Sequence, residues 1–131
     1  DELPEGMNFI ERSVLSDKIF AQNCYENGNM EKVEFDIYEK WSNWLYTRIC
    51  KEVKNVIYLR STPEVSYERI KKRSREGEEA IPLIYLKQLH NLHDNWLIGN
   101  ENINIIVLDA DNLKYDQSLI DVLKASFCNI D

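Results

Sequence analysis

Three short apolar segments, each followed by a stretch of helical sequence, constrain the fold more than any other feature of this chain. The segments lie at 7–10, 56–59 (VIYL) and 103–108 (INIIVL). Apolar runs without polar alternation are typical of strands buried on both faces, as in a parallel sheet covered by helices. The sequence therefore predicts an α/β fold with right-handed connections. Ligands of such sheets bind at the carboxyl ends of the strands. The candidate site residues are therefore those just after Ile10, Arg60 and Asp109.

The stretches after each strand predict helices. They are expected at 14–26, at 34–50, from Pro63 through a basic cluster ending at Arg75, from Pro82 onward and at 117–127. Thr62 and Pro63 form a clear helix start, because Thr can cap a helix and Pro suits its first position. Apolar periodicity assigns Trp41, Trp44 and Trp96 to the core.

Composition and charge restrict the possible partners. The chain has 131 residues, enough for one compact domain, and carries 23 acidic against 16 basic residues, a net charge of −7. Nucleic-acid binders usually have a basic surplus, so no nucleic-acid partner is expected. No apolar run reaches the ~18 residues of a membrane span, so no membrane partner is expected either, and three cysteines without CxxC spacing favour an intracellular, reducing compartment. The first residue is Asp1 rather than Met, which indicates that upstream sequence has been removed.

Glu11, Arg12 and Ser13 follow the first predicted strand, where ligands of such a sheet bind. A carboxylate and a guanidinium at this edge can hold a metal ion together with an anionic or hydroxyl group. The alternative is an ion pair that closes the turn between strand and helix. Asp17, four residues further on, also suits the dipole of the helix that begins there.

A second cluster contains Arg69, Arg73 and Arg75 and is followed by acidic residues. Arg69 and Arg73 share a helix face, and guanidiniums that converge on one pocket suit a polyphosphate. The alternative is a solvated basic helix face whose lysines pair with neighbouring glutamates. His90 and His93, beside Asp94, resemble a metal pair, but His93 falls on the apolar face and packing is the preferred interpretation.

Four segments of the chain carry a combined signature. In chain order they are ERSVLSDKIFAQNCYENG, YEKWSNWL, IYLRSTPEVSYERIKKRSREGEEAIPLIYLKQLHNLHDNWLI and VLDAD. Together they resemble the deoxynucleoside kinase family, which includes the deoxycytidine, deoxyguanosine and mitochondrial-type thymidine kinases. The resemblance runs from Phe9 to Asp111, and its most specific part is RxxxRxR followed by acidic residues and IPLxYL.

The resemblance implies a fold and a reaction. The fold is a P-loop-kinase-like, three-layer parallel sheet flanked by helices, here the incomplete C-terminal part of a single domain, 1–131, without the N-terminal strands. The reaction transfers the γ-phosphoryl group of ATP to the 5′-hydroxyl of a deoxynucleoside, with Mg²⁺. The family also implies a homodimer, formed through helices near the ERS segment. The location is cytoplasmic or mitochondrial.

The resemblance also implies residue roles. Glu11 helps hold the metal, and Arg12 lies near the 5′-hydroxyl and orients the general base. Asp17 contacts the nucleobase, which favours cytosine or a purine over thymine, and Phe20 packs against it. Glu78 reaches the sugar 3′-hydroxyl. The arginines of the lid, here residues 69–79, close over the phosphates; they are Arg69, Arg73 and Arg75.

The chain departs from the family pattern in ways that bear on activity. It has no GxxGxGKS/T loop, and it lacks the strand that carries the general-base Glu. It is one residue shorter between Ser16 and Phe20, and Gly77 replaces a common acidic residue. The 131 residues alone are therefore expected to be inactive. Alternatives are a non-catalytic truncated paralogue that binds nucleoside or a partner kinase, and a thymidylate-type monophosphate kinase.

Overall fold

A computed structural model describes residues 9–49, 53, 55–112, 121 and 123. The chain divides into two compact units, Asp1–Val53 and Lys54–Asp131. The prediction of a single domain over 1–131 stays a prediction.

The first unit contains two helices, α1 (Val14–Glu26) and α2 (Lys32–Ile49). Helix α1 has the predicted bounds, because Ser13 forms a capping box at its start: the Ser13 hydroxyl accepts from the Leu15 amide at 3.3 Å, and the Ser16 hydroxyl accepts from the Ser13 amide at 3.0 Å. Gly28 has φ of +72° in the turn after α1, a conformation that glycine adopts without strain.

Helix α2 has two different faces. Ser42 is buried, and Glu39 forms an ion pair of 2.8 Å with Lys18 of α1. The other face is exposed: Ile37 is 54%, Trp41 60% and Trp44 46% accessible. The assignment of Trp41 and Trp44 to the core was therefore wrong for the structure as described. Periodicity identifies an apolar face but not what covers it.

The second unit contains two paired strands, β1 (Asn55–Arg60) and β2 (Asn104–Asp109). The strands are parallel, with Asn55 opposite Asn104 and Arg60 opposite Asp109. Their bounds lie within one residue of the predicted segments, and the predicted parallel pairing is confirmed. Since the strands are parallel and in this register, the residues that follow Arg60 and Asp109 emerge at the same edge of the sheet.

Helices α3 (Pro63–Arg73) and α4 (Leu83–Leu97) lie between the two strands in sequence and pack against each other. Pro63 occupies the first turn of α3 as predicted, and Lys87 of α4 pairs with Glu64 of α3 at 3.0 Å. Helix α3 ends at Arg73 because Ser74 turns into the left-handed region with φ of +49°. The helix was expected to carry the basic cluster to Arg75, but it ends two residues earlier, so Arg75 lies beyond it.

Two predicted elements fall largely outside the described residues. Met7 and Asn8 of the strand predicted at 7–10 are not described, while Phe9 and Ile10 are described and form no strand. A strand forms through ladder hydrogen bonds to a neighbouring strand, which the sequence of one segment does not encode. The helix predicted at 117–127 lies outside the described residues, except that Asp121 and Leu123 are helical. Across the part of the chain that is described, no helix combines the length and apolar character needed to cross a bilayer.

Candidate functional site

The ERS segment forms a strained turn directly before α1. Arg12 has φ of +64°, in the left-handed region that costs a non-glycine residue about 1–3 kcal/mol. Its guanidinium lies 4.8 Å from the centre of the Phe20 ring, a cation–π contact across the first turns of α1. Glu11 beside it is exposed. Two of the predicted site residues, Arg12 and Phe20, are thus brought into contact within this unit.

Asp17 is exposed in the first turn of α1. Its charge reaches Tyr38 of α2: burial raises the pKa of the Tyr38 hydroxyl, and the negative charge of Asp17 raises it further. The Asp17 carboxylate is therefore accessible to a polar group of a ligand. Its role at a nucleobase stays a prediction.

The carboxyl edge of the sheet in the second unit is organised around Asp111, just after β2. Asp111 Oδ1 accepts a hydrogen bond of 2.7 Å from the Ser61 hydroxyl and one of 3.0 Å from the Thr62 amide. Ser61 and Thr62 lie between β1 and α3. The hydrogen bond from Ser61, followed by that from Thr62 and the charge of Arg69, lowers the pKa of Asp111 below its ordinary value.

Arg69 is bound to the same loop. Its Nη2 donates to the carbonyl oxygens of Ala110 at 2.8 Å and Asp111 at 3.3 Å. The side chain is exposed, so it remains within reach of a ligand at this edge.

The far end of the lid holds the other predicted lid residues. Arg73 donates to Glu78 Oε2 from Nη2 at 2.6 Å and from Nε at 3.2 Å. Arg75 is exposed and, with Glu78, lines an open cavity of about 150 Å³ under the end of α3. The lid thus places two predicted ligand-binding side chains, Arg73 and Glu78, against each other.

A polar network that the sequence did not suggest joins β1 to α4. Arg60 donates to both carboxylate oxygens of Asp94, at 2.9 Å from Nε and 2.7 Å from Nη2, and the Tyr58 hydroxyl donates to Asp94 Oδ1 at 3.0 Å. His90 Nε2 lies 3.2 Å from Asp94 Oδ2. The hydrogen bonds from Arg60 lower the pKa of Asp94, while burial raises that of Tyr58.

The histidines of α4 therefore serve packing and positioning. His93 lies between the rings of Tyr58 and Trp96, with centroid distances of 6.2 and 6.5 Å. Within the described ranges no group of three or more His, Cys, Asp or Glu side chains is arranged to hold a metal ion.

Sequence reasoning found the edge of the sheet but missed two of its residues. It directed attention to the positions after Arg60 and Asp109, yet it assigned no role in the site to Asp111 or Asp94. Asp111 bonds to Thr62 across 49 residues of sequence, and Asp94 to Arg60 across 34. The only signal was the VLDAD motif, which marks Asp111 without stating its partner.

Comparison with known proteins gives a consistent result. A family model described as Deoxynucleoside kinase matches residues 3–128. Deoxycytidine kinase 2 of Gallus gallus is 39% identical over 95% of this chain and 53% of its own length. Thymidine kinase 2, mitochondrial, of Homo sapiens is 37% identical over 82% of this chain and 42% of its own length. Deoxycytidine kinase of Homo sapiens is 37% identical over 88% of this chain and 50% of its own length.

The chain spans about half the length of the curated relatives that it matches. The family has the P-loop kinase fold, and the described residues contain part of it, four helices and two parallel strands. A match across almost the whole chain, together with relatives of this identity, shows that the chain belongs to the deoxynucleoside kinase family.

Proposed function

We propose that this chain is the C-terminal part of an ATP-dependent kinase that phosphorylates the 5′-hydroxyl of deoxynucleosides. The observation that carries the proposal is the lid: three arginines, of which one reaches the sheet edge and two lie at the end of α3 beside Glu78. Phosphoryl transfer places developing charge on the transferred oxygens, and guanidiniums that surround them stabilise that charge.

In the proposed reaction, Arg73 exchanges Glu78 for a phosphate of the donor as the lid closes. Glu78 is then released to bind the 3′-hydroxyl of the sugar. Arg69 and Arg75 add charge on either side. Arg12, fixed by its contact with Phe20, orients the base that removes the 5′-hydroxyl proton.

Mg²⁺ fits the residues that are present. It binds through one or two carboxylates, waters and substrate phosphates rather than through an all-protein cage. Glu11 offers one exposed carboxylate next to Arg12, and the described residues contain no larger cluster of ligands. We propose that Glu11 contributes this ligand; the ion, when bound, neutralises charge on the phosphates.

The preferred base is proposed to be cytosine or a purine. An exposed carboxylate at Asp17 accepts hydrogen bonds from an exocyclic amino group, which thymine lacks. Competition assays on the full-length protein test this: deoxycytidine or a purine deoxynucleoside should have the highest kcat/KM. Thymidine as the best substrate contradicts the proposal.

We also propose that the 131 residues alone are inactive and only partly folded. The sequence has no GxxGxGKS/T loop, and the buried apolar residues among those described are Ile19, Ala21, Leu92 and Leu97. In the family the phosphate-loop strand lies between strands matching 7–10 and 56–59, so its absence exposes sheet edges. Expressed alone, the chain should aggregate or melt without cooperativity. A sharp melt from a soluble monomer contradicts this.

The assay that tests the main proposal compares acceptors. Full-length protein with ATP and Mg²⁺ should phosphorylate deoxynucleosides, not deoxynucleoside monophosphates. The opposite preference favours a thymidylate-type kinase. Nucleoside binding without turnover, from a gene whose start codon lies near the codon for Asp1, favours a truncated paralogue. The proposed location is intracellular, in the cytoplasm or mitochondria.

A further inference from the structure

The first turn of α3 lacks the side-chain cap that its sequence predicts. Thr62 occupies the N-cap position in an extended conformation, with φ of −67° and ψ of 148°, but its side chain makes no capping hydrogen bond. A carboxylate from a distant loop lies there instead. Asp111 accepts from the Thr62 amide at 3.0 Å and from the Ser61 hydroxyl at 2.7 Å.

The contact extends into the helix. The Ser66 hydroxyl donates to the Ser61 hydroxyl at 3.1 Å, and Ser61 in turn donates to Asp111. Since Ser66 lies in the first turn of α3, a chain of hydrogen bonds joins that turn to the carboxylate. A negative charge at this end of a helix is also favoured by the helix dipole.

A second attachment lies two turns further along α3. Arg69 donates to the carbonyl oxygens of Ala110 and Asp111 at 2.8 and 3.3 Å. The Ala110 amide donates to the Arg60 carbonyl at 2.8 Å, which fixes the same dipeptide to the end of β1. The first two turns of α3 are therefore held at both ends by residues 110 and 111.

The rest of the lid is bonded differently. Among the described residues, Arg73 pairs with Glu78, and the Ser74 hydroxyl donates to the Lys71 carbonyl at 2.7 Å. These contacts are internal to the lid. Helix α3 thus has a first half anchored to the sheet edge and an end whose side-chain hydrogen bonds, among the described residues, stay within the lid itself.

We infer that Asp111 is a positioning residue: it anchors the start of α3 to the loop after β2 and so sets where the lid arginines stand relative to the sheet edge. The inference rests on the proposed function, because the proposed function assigns the lid arginines to the phosphates of ATP. Loss of the anchor allows the first turn of α3 to shift, and the lid arginines shift with it. Donor binding should suffer while the nucleoside site, formed in part by residues of α1, should not.

The test uses the full-length protein with Asp111→Ala and Asp111→Asn. Because hydrogen bonds to a charged group are lost, the KM for ATP should rise at least about tenfold in Asp111→Ala, while the KM for the deoxynucleoside stays within about twofold. Asp111→Asn keeps one acceptor oxygen and should restore part of the loss. The matched control is Glu68→Gln, which removes an exposed carboxylate from the next turn of α3.

Amide hydrogen exchange provides a readout that does not need activity. Residues 62–66 should exchange faster in Asp111→Ala than in wild type, and at the wild-type rate in Glu68→Gln. Unchanged exchange and an unchanged KM for ATP overturn the inference. So does a fall in kcat with both KM values unchanged, because that result assigns Asp111 to overall stability alone. If wild type phosphorylates no nucleoside, the proposed function fails, and the exchange comparison still decides whether the anchor exists.

Discussion

Arg73 is already paired before any ligand binds. Its bond of 2.6 Å to Glu78 means that a phosphate must compete with a carboxylate for the guanidinium. In solvent such a pair is worth little, since 50% of the Arg73 side chain is exposed, and a polyphosphate with several charges outcompetes it. In the proposed reaction, the ion pair between Arg73 and Glu78 therefore opposes phosphate binding only weakly.

Replacing Arg73 by Ala should lower kcat/KM of the full-length enzyme by about 10²–10³, because one donor to the transferring phosphoryl group is lost. Steady-state kinetics with varied ATP measure the change. Lys72→Ala is the matched control, since it removes a neighbouring positive charge of α3 that has no proposed role. A similar loss in both variants means that the net charge of the lid, not the Arg73 position, supports activity.

The Asp94 carboxylate accepts hydrogen bonds from both Arg60 and Tyr58. The hydrogen bonds from Arg60 lower the pKa of Asp94, so the folded protein binds this proton less tightly than the unfolded chain. The contribution of Asp94 to stability is therefore present above the unfolded pKa of about 3.9 and is lost as the pH falls through the lower folded pKa.

At neutral pH, Asp94→Asn should reduce the free energy of unfolding by about 1–2 kcal/mol, a value discounted because the pair is partly exposed. Thermal melts of the full-length protein from pH 6 to pH 3 provide the measurement. The wild-type midpoint should fall below pH ~4, and the variant should lose part of that dependence. Asn95→Ala, an exposed neighbour on α4, should melt like wild type at each pH. Parallel pH curves for wild type and Asp94→Asn contradict the assignment.

At the scale of elements, the start of α1 is fixed by its own sequence. The Ser13 hydroxyl accepts from the Leu15 amide and the Ser16 hydroxyl accepts from the Ser13 amide, at the start of the helix and directly after the strained Arg12. Ser13→Ala should therefore cost about 1 kcal/mol, measured by denaturant unfolding of the full-length protein. Ser13→Thr retains the hydroxyl and should cost less. Equal losses show that the cap is not what stabilises α1.

Local signals predicted the elements well where both ends carry a chemical marker. Helix α1 begins and ends at the predicted residues, and Pro63 opens α3 as expected. Helix α2 has weaker markers and begins at Lys32, two residues before the predicted Glu34. Of the strand predicted at 7–10, only Phe9 and Ile10 are described, and these two form no strand; pairing with a neighbouring strand is not a local property.

The location of the site at the sheet edge could be predicted, because the fold alone determines it. Parallel strands direct attention to the edge after Arg60 and Asp109, and the structure does bring Ser61 and Asp111 together there. The side-chain partners could not be predicted, since spacing on one helix says nothing about a loop 41 residues away. Arg69, expected to face phosphates, instead donates to the Ala110 carbonyl across that separation.

At the scale of the whole molecule, α2 presents the feature that most requires a partner. Residues Val33, Ile37, Trp41 and Trp44 recur at spacings of three and four along one side of the helix, and all are more than 45% exposed. The tryptophans contact each other edge to face at 5.5 Å. A contiguous apolar stripe of this kind marks an interaction site, because water contact with it is unfavourable.

We propose that this stripe contributes to a homodimer interface of the full-length protein. A twofold interface contains every substitution twice, so one charge per chain introduces two charges that lose their hydration on association. Trp41→Glu should therefore convert the dimer to a monomer at micromolar concentration, measured by sedimentation equilibrium. Asn43→Glu adds the same charge on an exposed position outside the stripe and should leave the dimer intact. A monomeric wild type, or a dimer that survives Trp41→Glu, shows that α2 is covered by something other than a second copy of this chain.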